Sequence, residues 1–131
     1  MKDKSNILKI GIDLDDTITY CKQFFSMMTN AMKDTAEIHV ITNREQTVEN
    51  AAIIRNELDE LGISYHHLEV TGDKAEYILE KGITVLFDDT DEYFLTLPES
   101  VKVFKMREPW NFDFENHKWL YNDKTGQHIN R

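Results

Sequence analysis

Several kinds of residue and segment are scarce or absent in this chain of 131 residues. It has one cysteine, Cys21, which excludes an internal disulfide and favours a reducing, cytoplasmic environment. No apolar run approaches the roughly 20 residues that cross a bilayer, so we expect no membrane partner. No long apolar segment follows the charged first residues, and we therefore expect no secretory signal.

Linker-forming residues are also few. The chain has two prolines and five glycines, and no internal repeat or low-complexity stretch interrupts it. Without a linker there is no visible boundary between domains, and the length is sufficient for a sizeable core. We therefore expect residues 1–131 to form a single domain, with 106–131 as a C-terminal extension that packs on or near the functional site.

Positive charge is in deficit. Fifteen Lys and Arg stand against 24 Asp and Glu, so the formal net charge is -9. This balance argues against general binding to nucleic acid or to anionic membranes, which both favour basic surfaces. It does not exclude a small phosphorylated substrate, because a metal and one or two well-placed cations can bind phosphate on an acidic protein. The oligomeric state stays open, a homodimer included.

Short apolar runs alternate with helical patterns along the chain. Strands are predicted at 7–12, 38–41, 63–70, 83–87 and 101–104, and helices at 22–33, 48–61, 75–79 and 91–97. This alternation predicts an α/β fold: a Rossmann-like three-layer sandwich with a mostly parallel five-stranded sheet. Sites in such sheets lie beyond the carboxyl ends of the strands.

Polar residues stand at those predicted ends. They are Asp13, Asp15 and Asp16 after the first strand, Thr42 after the second, Asp88 and Asp89 after the fourth, and Lys74 at the start of a helix. Carboxylates this close repel one another unless a cation lies among them. Oxygen ligands favour a hard ion, and Mg²⁺ in particular pairs with substrate phosphate. The sequence therefore predicts a Mg²⁺ site built from Asp13, Asp15, Asp88 and Asp89.

The ordered set resembles the haloacid dehalogenase (HAD) superfamily of phosphotransferases. The matching stretches are Asp13-Leu14-Asp15-Asp16-Thr17, Ile38-His39-Val40-Ile41-Thr42, Lys74, and Val85-Leu86-Phe87-Asp88-Asp89. The resemblance implies that Asp13 is the nucleophile and forms an aspartyl-phosphate. It implies that Asp15 is the general acid/base, with its backbone carbonyl on Mg²⁺. Thr42 and Lys74 would then bind the phosphoryl group, and Asp88 and Asp89 would complete the metal site.

Two features depart from the family pattern. Position 16, often glycine in the family, is aspartate. Only 28 residues separate Asp13 from Thr42 and 31 separate Thr42 from Lys74, so there is no room for the cap domain that many members insert. A capless member has an open site, which suits a macromolecular substrate, or a small one enclosed by the C-terminal segment or another subunit.

The segment after the last predicted strand is similar to that of bacterial 5'(3')-deoxyribonucleotidase relatives. It reads Met106-Arg107-Glu108-Pro109-Trp110-Asn111-Phe112. This similarity implies that Arg107, Trp110 and Asn111 lie near the pocket, where Trp110 would be able to stack on a base or sugar. The candidate substrate-binding residues are Thr17, Asn43, Arg44, Arg107 and Trp110.

The function predicted from these motifs is Mg²⁺-dependent hydrolysis of a phosphomonoester, such as a (deoxy)nucleoside monophosphate. Three alternatives stay open: a nucleic-acid 3'-end phosphatase, a receiver-like signalling module, and a degenerate family member that binds a phosphorylated ligand without turnover. The acidic charge disfavours the first. The order of the motifs fits a receiver domain poorly, because no aspartate ends the third predicted strand and Lys74 precedes the final acidic pair.

Overall fold

A five-stranded parallel sheet forms the centre of the fold in a computed structural model, which describes residues 6–123 and 128–129. Its strands are β1 (Leu8–Asp13), β2 (Ala36–Thr42), β3 (His67–Val70), β4 (Val85–Asp88) and β5 (Lys102–Lys105). They lie in the order β3-β2-β1-β4-β5, and each neighbouring pair is parallel. The order changes direction at β1, so the crevice beside its carboxyl end is where a ligand is expected.

Helices cover both faces of the sheet. They are α1 (Lys22–Met32), α2 (Val48–Glu60), α3 (Lys74–Lys81) and α4 (Asp91–Phe94), with a 3-10 turn at Ile18–Tyr20. One core joins the sheet to α1 and α2 through Phe25, Ile54 and Leu58. The other joins it to α3 through Tyr77 and Ile78. The predicted α/β class, the five-stranded parallel sheet and the flanking helices are therefore confirmed.

Capping residues place the ends of α2 and α3. Thr47 accepts a hydrogen bond from the backbone N–H of Asn50 at 3.0 Å, and Asp73 accepts one from that of Glu76 at 3.2 Å. Gly82 ends α3 with φ +69°, in the left-handed region that glycine adopts without steric cost. The Asp73 cap fixes where α3 begins and so fixes the position of Lys74.

The third strand is shorter than predicted. It begins at His67 rather than at residue 63, because the chain first completes the end of α2. The N–H of Ile63 donates to the carbonyl of Leu58, and only at His66 does an N–H reach the neighbouring strand, at Ile38. Ile63, an apolar residue predicted to begin the strand, therefore belongs to the connection between α2 and β3.

The C-terminal segment forms small antiparallel pairs that were not predicted. They join β6 (Phe112–Asp113) to β7 (Lys118–Trp119), and β8 (Tyr121–Asn122) to β9 (His128–Ile129). Of the predicted extension, residues 124–127 and 130–131 lie outside the described residues, and its assignment within a single domain stays a prediction. Over 6–123 and 128–129, every helix is too short or too polar to cross a membrane.

Candidate active site

Three neighbouring strands bring their final residues together at one edge of the sheet. β1 ends at Asp13, β2 at Thr42 and β4 at Asp88, and β1 lies between the other two. A cavity of about 290 Å³ opens at this edge and is lined by Asp13, Asp15, Asp16, Thr42, Asn43, Lys74, Asp89, Thr90, Tyr93, Trp110, Asn122 and Asp123. The parallel topology thus gathers residues that are up to 110 positions apart in the chain.

Lys74 lies between two of the carboxylates. Its Nζ donates to Asp13 Oδ1 at 2.7 Å and to Asp88 Oδ2 at 3.1 Å, and the side chain is 1 % exposed. The ammonium also lies 4.2 Å from the centre of the Tyr93 ring. Burial lowers the pKa of Lys74, but the charges of Asp13 and Asp88 and the hydrogen bonds to them together raise it, so the side chain stays charged.

The turn after β4 directs Asp88 and Asp89 to the same place. Asp88 Oδ1 accepts the backbone N–H groups of Asp89 at 2.8 Å and Thr90 at 3.1 Å, which holds the turn closed. Asp89 accepts the indole N–H of Trp110 at 3.0 Å and the hydroxyl of Thr90 at 3.2 Å. Trp110 therefore ties the C-terminal segment to the acidic group.

Negative charge at this edge exceeds the positive charge that contacts it. Asp13, Asp88 and Asp89 are all buried, and among the described residues Lys74 is the cation that pairs with Asp13 and Asp88. Burial, and next the charge of Asp88, raise the pKa of Asp13 well above its usual range although Lys74 opposes them. The same two causes raise the pKa of Asp89 to about 6. The carboxylates repel one another more than one lysine compensates.

A divalent cation fits this group. One oxygen from each of Asp13, Asp88 and Asp89 lies within 4.8 Å of the others. All three donors are carboxylate oxygens, which hard ions such as Mg²⁺ and Ca²⁺ prefer. Such an ion would also offset the repulsion by Asp88, which after burial is the next cause of the two raised pKa values. The acidic group can therefore hold a metal ion, and its donor set favours a hard one.

Asp15 is engaged elsewhere. Arg44 donates to both of its carboxylate oxygens, at 2.7 Å and 3.0 Å, and also bonds Glu57. Hydrogen bonding to Arg44 is the main reason that the pKa of Asp15 lies below its usual value. The hydroxyl of Thr42 donates to the same carboxylate at 3.3 Å. The Asp15 side chain therefore lies beside the group of three carboxylates and is paired with Arg44.

The loop after β1 contacts the Asp13 side chain through Thr17. Thr17 is fully buried, and its hydroxyl donates to Asp13 Oδ2 at 3.1 Å. Asp16 takes φ +65°, a left-handed conformation that aspartate tolerates better than most residues. Its backbone N–H donates to Thr19 Oγ1 at 2.9 Å. Glycine adopts such a left-handed turn without steric cost, and the chain places Asp16 there instead.

The remaining predicted site residues divide between the rim and positions outside it. Asn43 lies at the rim and donates to the Tyr93 hydroxyl at 2.5 Å. Trp110 meets the ring of Tyr20 edge to face, with centroids 4.9 Å apart. Arg107 instead packs its guanidinium on two rings of the C-terminal segment, 4.9 and 5.0 Å from their centroids, and is absent from the cavity lining.

Three further residues contribute to this edge, and of these the sequence placed only Asn111 near the pocket. Tyr93 carries the ring beneath Lys74, and Asn111 donates to the backbone carbonyl of Asp89 at 3.1 Å. Asn122 lines the cavity, and its Oδ1 is the buried side-chain oxygen in the described residues that has no hydrogen-bond partner. An unpartnered acceptor at a cavity wall offers a place for a donor on a ligand. The only sequence signal for these residues was the position of Asn111 one residue after Trp110.

Comparison with known proteins gives a likeness of fold. No family model matches the chain, and no curated protein matches its sequence. A chain in the solved structure of a Pnkp1/Rnl/Hen1 complex is similar in fold, with a TM-score of 0.58 over 81 % of this chain and 16 % sequence identity. The match covers 48 % of that chain, so this protein spans about half of its length. At this identity the likeness establishes the fold alone.

Proposed function

We propose that the protein is a Mg²⁺-dependent phosphatase that hydrolyses phosphomonoesters through a phosphorylated aspartate, Asp13. The observation that carries the proposal is the buried contact of Lys74 with Asp13 and Asp88 at the carboxyl edge of the sheet. A stability requirement alone does not explain a group of buried carboxylates around one lysine. The motif order that resembles the HAD superfamily supports the same chemistry.

In the first step an Asp13 oxygen forms a bond to phosphorus. The bond between phosphorus and the ester oxygen breaks, and that oxygen takes a proton from Asp15. Lys74 offsets the charge of the phosphoryl group, and the Thr42 hydroxyl is available to donate to one of its oxygens. In the second step water attacks phosphorus, Asp15 accepts a proton from the water, and the bond to Asp13 breaks, which releases phosphate.

Asp15 needs a proton for the first step. Arg44 keeps the pKa of Asp15 below its usual value while the two side chains are paired. The Asp15 carboxylate must therefore separate from Arg44 before Asp15 acts as an acid. The negative charge of an arriving phosphate draws Arg44 as well, because guanidinium binds phosphate and carboxylate in the same forked geometry. Arg44 therefore acts as a positioning residue that couples substrate binding to the protonation of Asp15.

Asp13, Asp88 and Asp89 would hold the metal. Bound there, Mg²⁺ would supply positive charge beside the phosphoryl oxygens. Trp110 supports Asp89 in this role through its N–H, in the way that hydrogen-bonded partners commonly orient metal ligands.

Phosphate release from p-nitrophenyl phosphate tests the proposal. We expect turnover that requires Mg²⁺ and that Asp13→Asn abolishes, with phosphate trapped on Asp13 of the unmodified protein. Asp59→Asn is a matched control, because Asp59 lies exposed on α2 away from this edge. Full turnover by Asp13→Asn contradicts the mechanism, whereas binding of a phosphorylated ligand with no release in any variant favours the non-catalytic alternative.

The substrate class proposed first is a small nucleoside monophosphate. Tyr20 and Trp110 present aromatic rings next to the cavity, and such rings stack on bases. The likeness to a chain of the Pnkp1/Rnl/Hen1 complex and the missing cap make a nucleic-acid 3' end the second candidate. Assays with a mononucleotide and with a 3'-phosphorylated oligonucleotide distinguish the two candidate substrates. Because the chain is acidic, we expect the oligonucleotide to bind more weakly than the mononucleotide at low salt.

A further inference from the structure

A second group of converging side chains lies on β2 and β3, separate from the acidic edge. Glu37 and His39 are two residues apart on β2 and so share one face of the sheet, and His39 pairs in register with His67 on β3. Nε2 of His39 lies 2.8 Å and Nε2 of His67 lies 3.1 Å from the same Glu37 oxygen. The two imidazole rings stack with centroids 4.5 Å apart.

We propose that Glu37, His39 and His67 form a Zn²⁺ site. The three donor atoms all lie within 4.8 Å of one another. Zinc bonds of about 2.0–2.2 Å in a tetrahedron place neighbouring donors about 3.3 Å apart, so small side-chain shifts are enough to admit the ion. Two imidazoles and one carboxylate are a donor set that zinc uses when it keeps a fourth position open.

Tyr77 supports His39 from behind. Its hydroxyl lies 2.7 Å from His39 Nδ1, the ring nitrogen that faces away from Glu37. Metal-binding imidazoles commonly hold the other ring nitrogen in such a hydrogen bond, which fixes the orientation of the ring. In the metal-free arrangement His39 Nε2–H faces Glu37. When Nε2 binds the ion, the imidazole proton is on Nδ1 instead, and Nδ1–H donates a hydrogen bond to the Tyr77 oxygen.

The group is open to solvent on one side. His39 is 1 % exposed, but the side chains of His67 and Glu37 are 52 % and 31 % exposed, so an ion can enter and water can fill the open position. The carboxylates of Glu37, Glu69 and Glu80 act on this group, and so do the ammonium groups of Lys9 and Lys81, the latter 5.9 Å from the centre of the Tyr77 ring. Three carboxylates against two ammonium groups leave a net negative charge beside the site.

Zinc binding in the presence of saturating Mg²⁺ tests this site separately from the acidic edge. Mg²⁺ occupies the carboxylate group and leaves the nitrogen donors free, because it prefers oxygen ligands. Competition against a chromophoric chelator should then give one Zn²⁺ per chain. Co²⁺ in place of Zn²⁺ should give the visible absorption of a low-coordinate site. The readout is independent of any phosphatase activity.

Two variants and one control complete the experiment. Tyr77→Phe should weaken zinc binding about 10–100-fold, and His67→Ala should weaken it further, because it removes an exposed ligand with little effect on folding. His117→Asn is the control: it removes an imidazole elsewhere, and asparagine accepts the left-handed conformation of that residue. Zinc affinity in His67→Ala equal to that of the unmodified protein overturns the proposal, as does an equal loss in His117→Asn.

Discussion

Replacing Lys74 by methionine tests the charge balance of the acidic edge. The side chain is 1 % exposed and donates to Asp13 and Asp88, so the variant leaves buried carboxylates without their cation. Methionine has a similar length and keeps most of the packing. Loss of one partner from a buried charge pair costs about 3–5 kcal/mol. For a chain of this size that corresponds to a fall in Tm of roughly 10–20 °C.

Urea unfolding at pH 7 with chelator present measures this loss. Added Mg²⁺ should restore part of the free energy of unfolding, because the ion binds the folded state and offsets the same carboxylates. The double variant Asp13→Asn with Lys74→Met should lose less than the sum of the two single variants, since one unpaired charge has been removed. Lys33→Met, at an exposed lysine, should stay within about 0.5 kcal/mol of the unmodified protein.

A Lys74→Met protein within about 1 kcal/mol of the unmodified one in metal-free buffer would mean that the three carboxylates do not depend on Lys74. Some other group would then compensate the negative charge of Asp13, and unbalanced charge would no longer be a reason to expect a metal ion at this edge.

Two further predictions concern protons. Because the folded state raises the pKa of Asp89 to about 6, it binds the proton more tightly than the unfolded chain does, and metal-free stability should fall by roughly 2–3 kcal/mol as the pH rises from about 4 to 6. Asp89→Asn should remove that part of the slope in denaturant unfolding, and an unchanged slope would refute the assignment. Arg44→Met should raise the pKa of Asp15 in the free enzyme and move the high-pH limb of the kcat/KM profile to higher pH. An identical profile would show that Asp15 does not supply the proton.

Much of the fold could be predicted because parallel strands are short, apolar and buried on both faces. The runs that became β1 and β4 stand out for this reason, and each ends in aspartate. The ends of helices and strands were less predictable. The N–H of Ile63 donates to the carbonyl of Leu58 in α2, and β3 therefore begins later in the chain. The two-residue strands from β6 to β9 were missed because two residues carry no periodicity.

The residues that form the site were more predictable than the contacts that their side chains make with one another. Chain order and parallel topology brought Asp13, Thr42 and Lys74 to one cavity. Neither indicates that Arg44 binds Asp15, because a long side chain selects its partner only after the loops have folded. Arg107 illustrates the same limit: nearby aromatic rings offered its guanidinium a stacking surface away from the cavity.

The charge at the edge of the sheet also favours a particular kind of ion. When all three buried carboxylates are ionised, the one buried ammonium reduces their charge from -3 to -2. A monovalent cation would offset half of this charge, and two divalent ions would exceed it. One divalent ion matches it and still leaves Lys74 on Asp13, the residue proposed to receive the phosphoryl group. In the proposed mechanism, phosphorylation of Asp13 removes its own negative charge and brings the charge of the phosphoryl oxygens to the same edge. Lys74 and a bound divalent ion would then offset the charge of the resting site and of the phosphorylated one, which is the reason to propose phosphoryl transfer rather than storage of a metal alone.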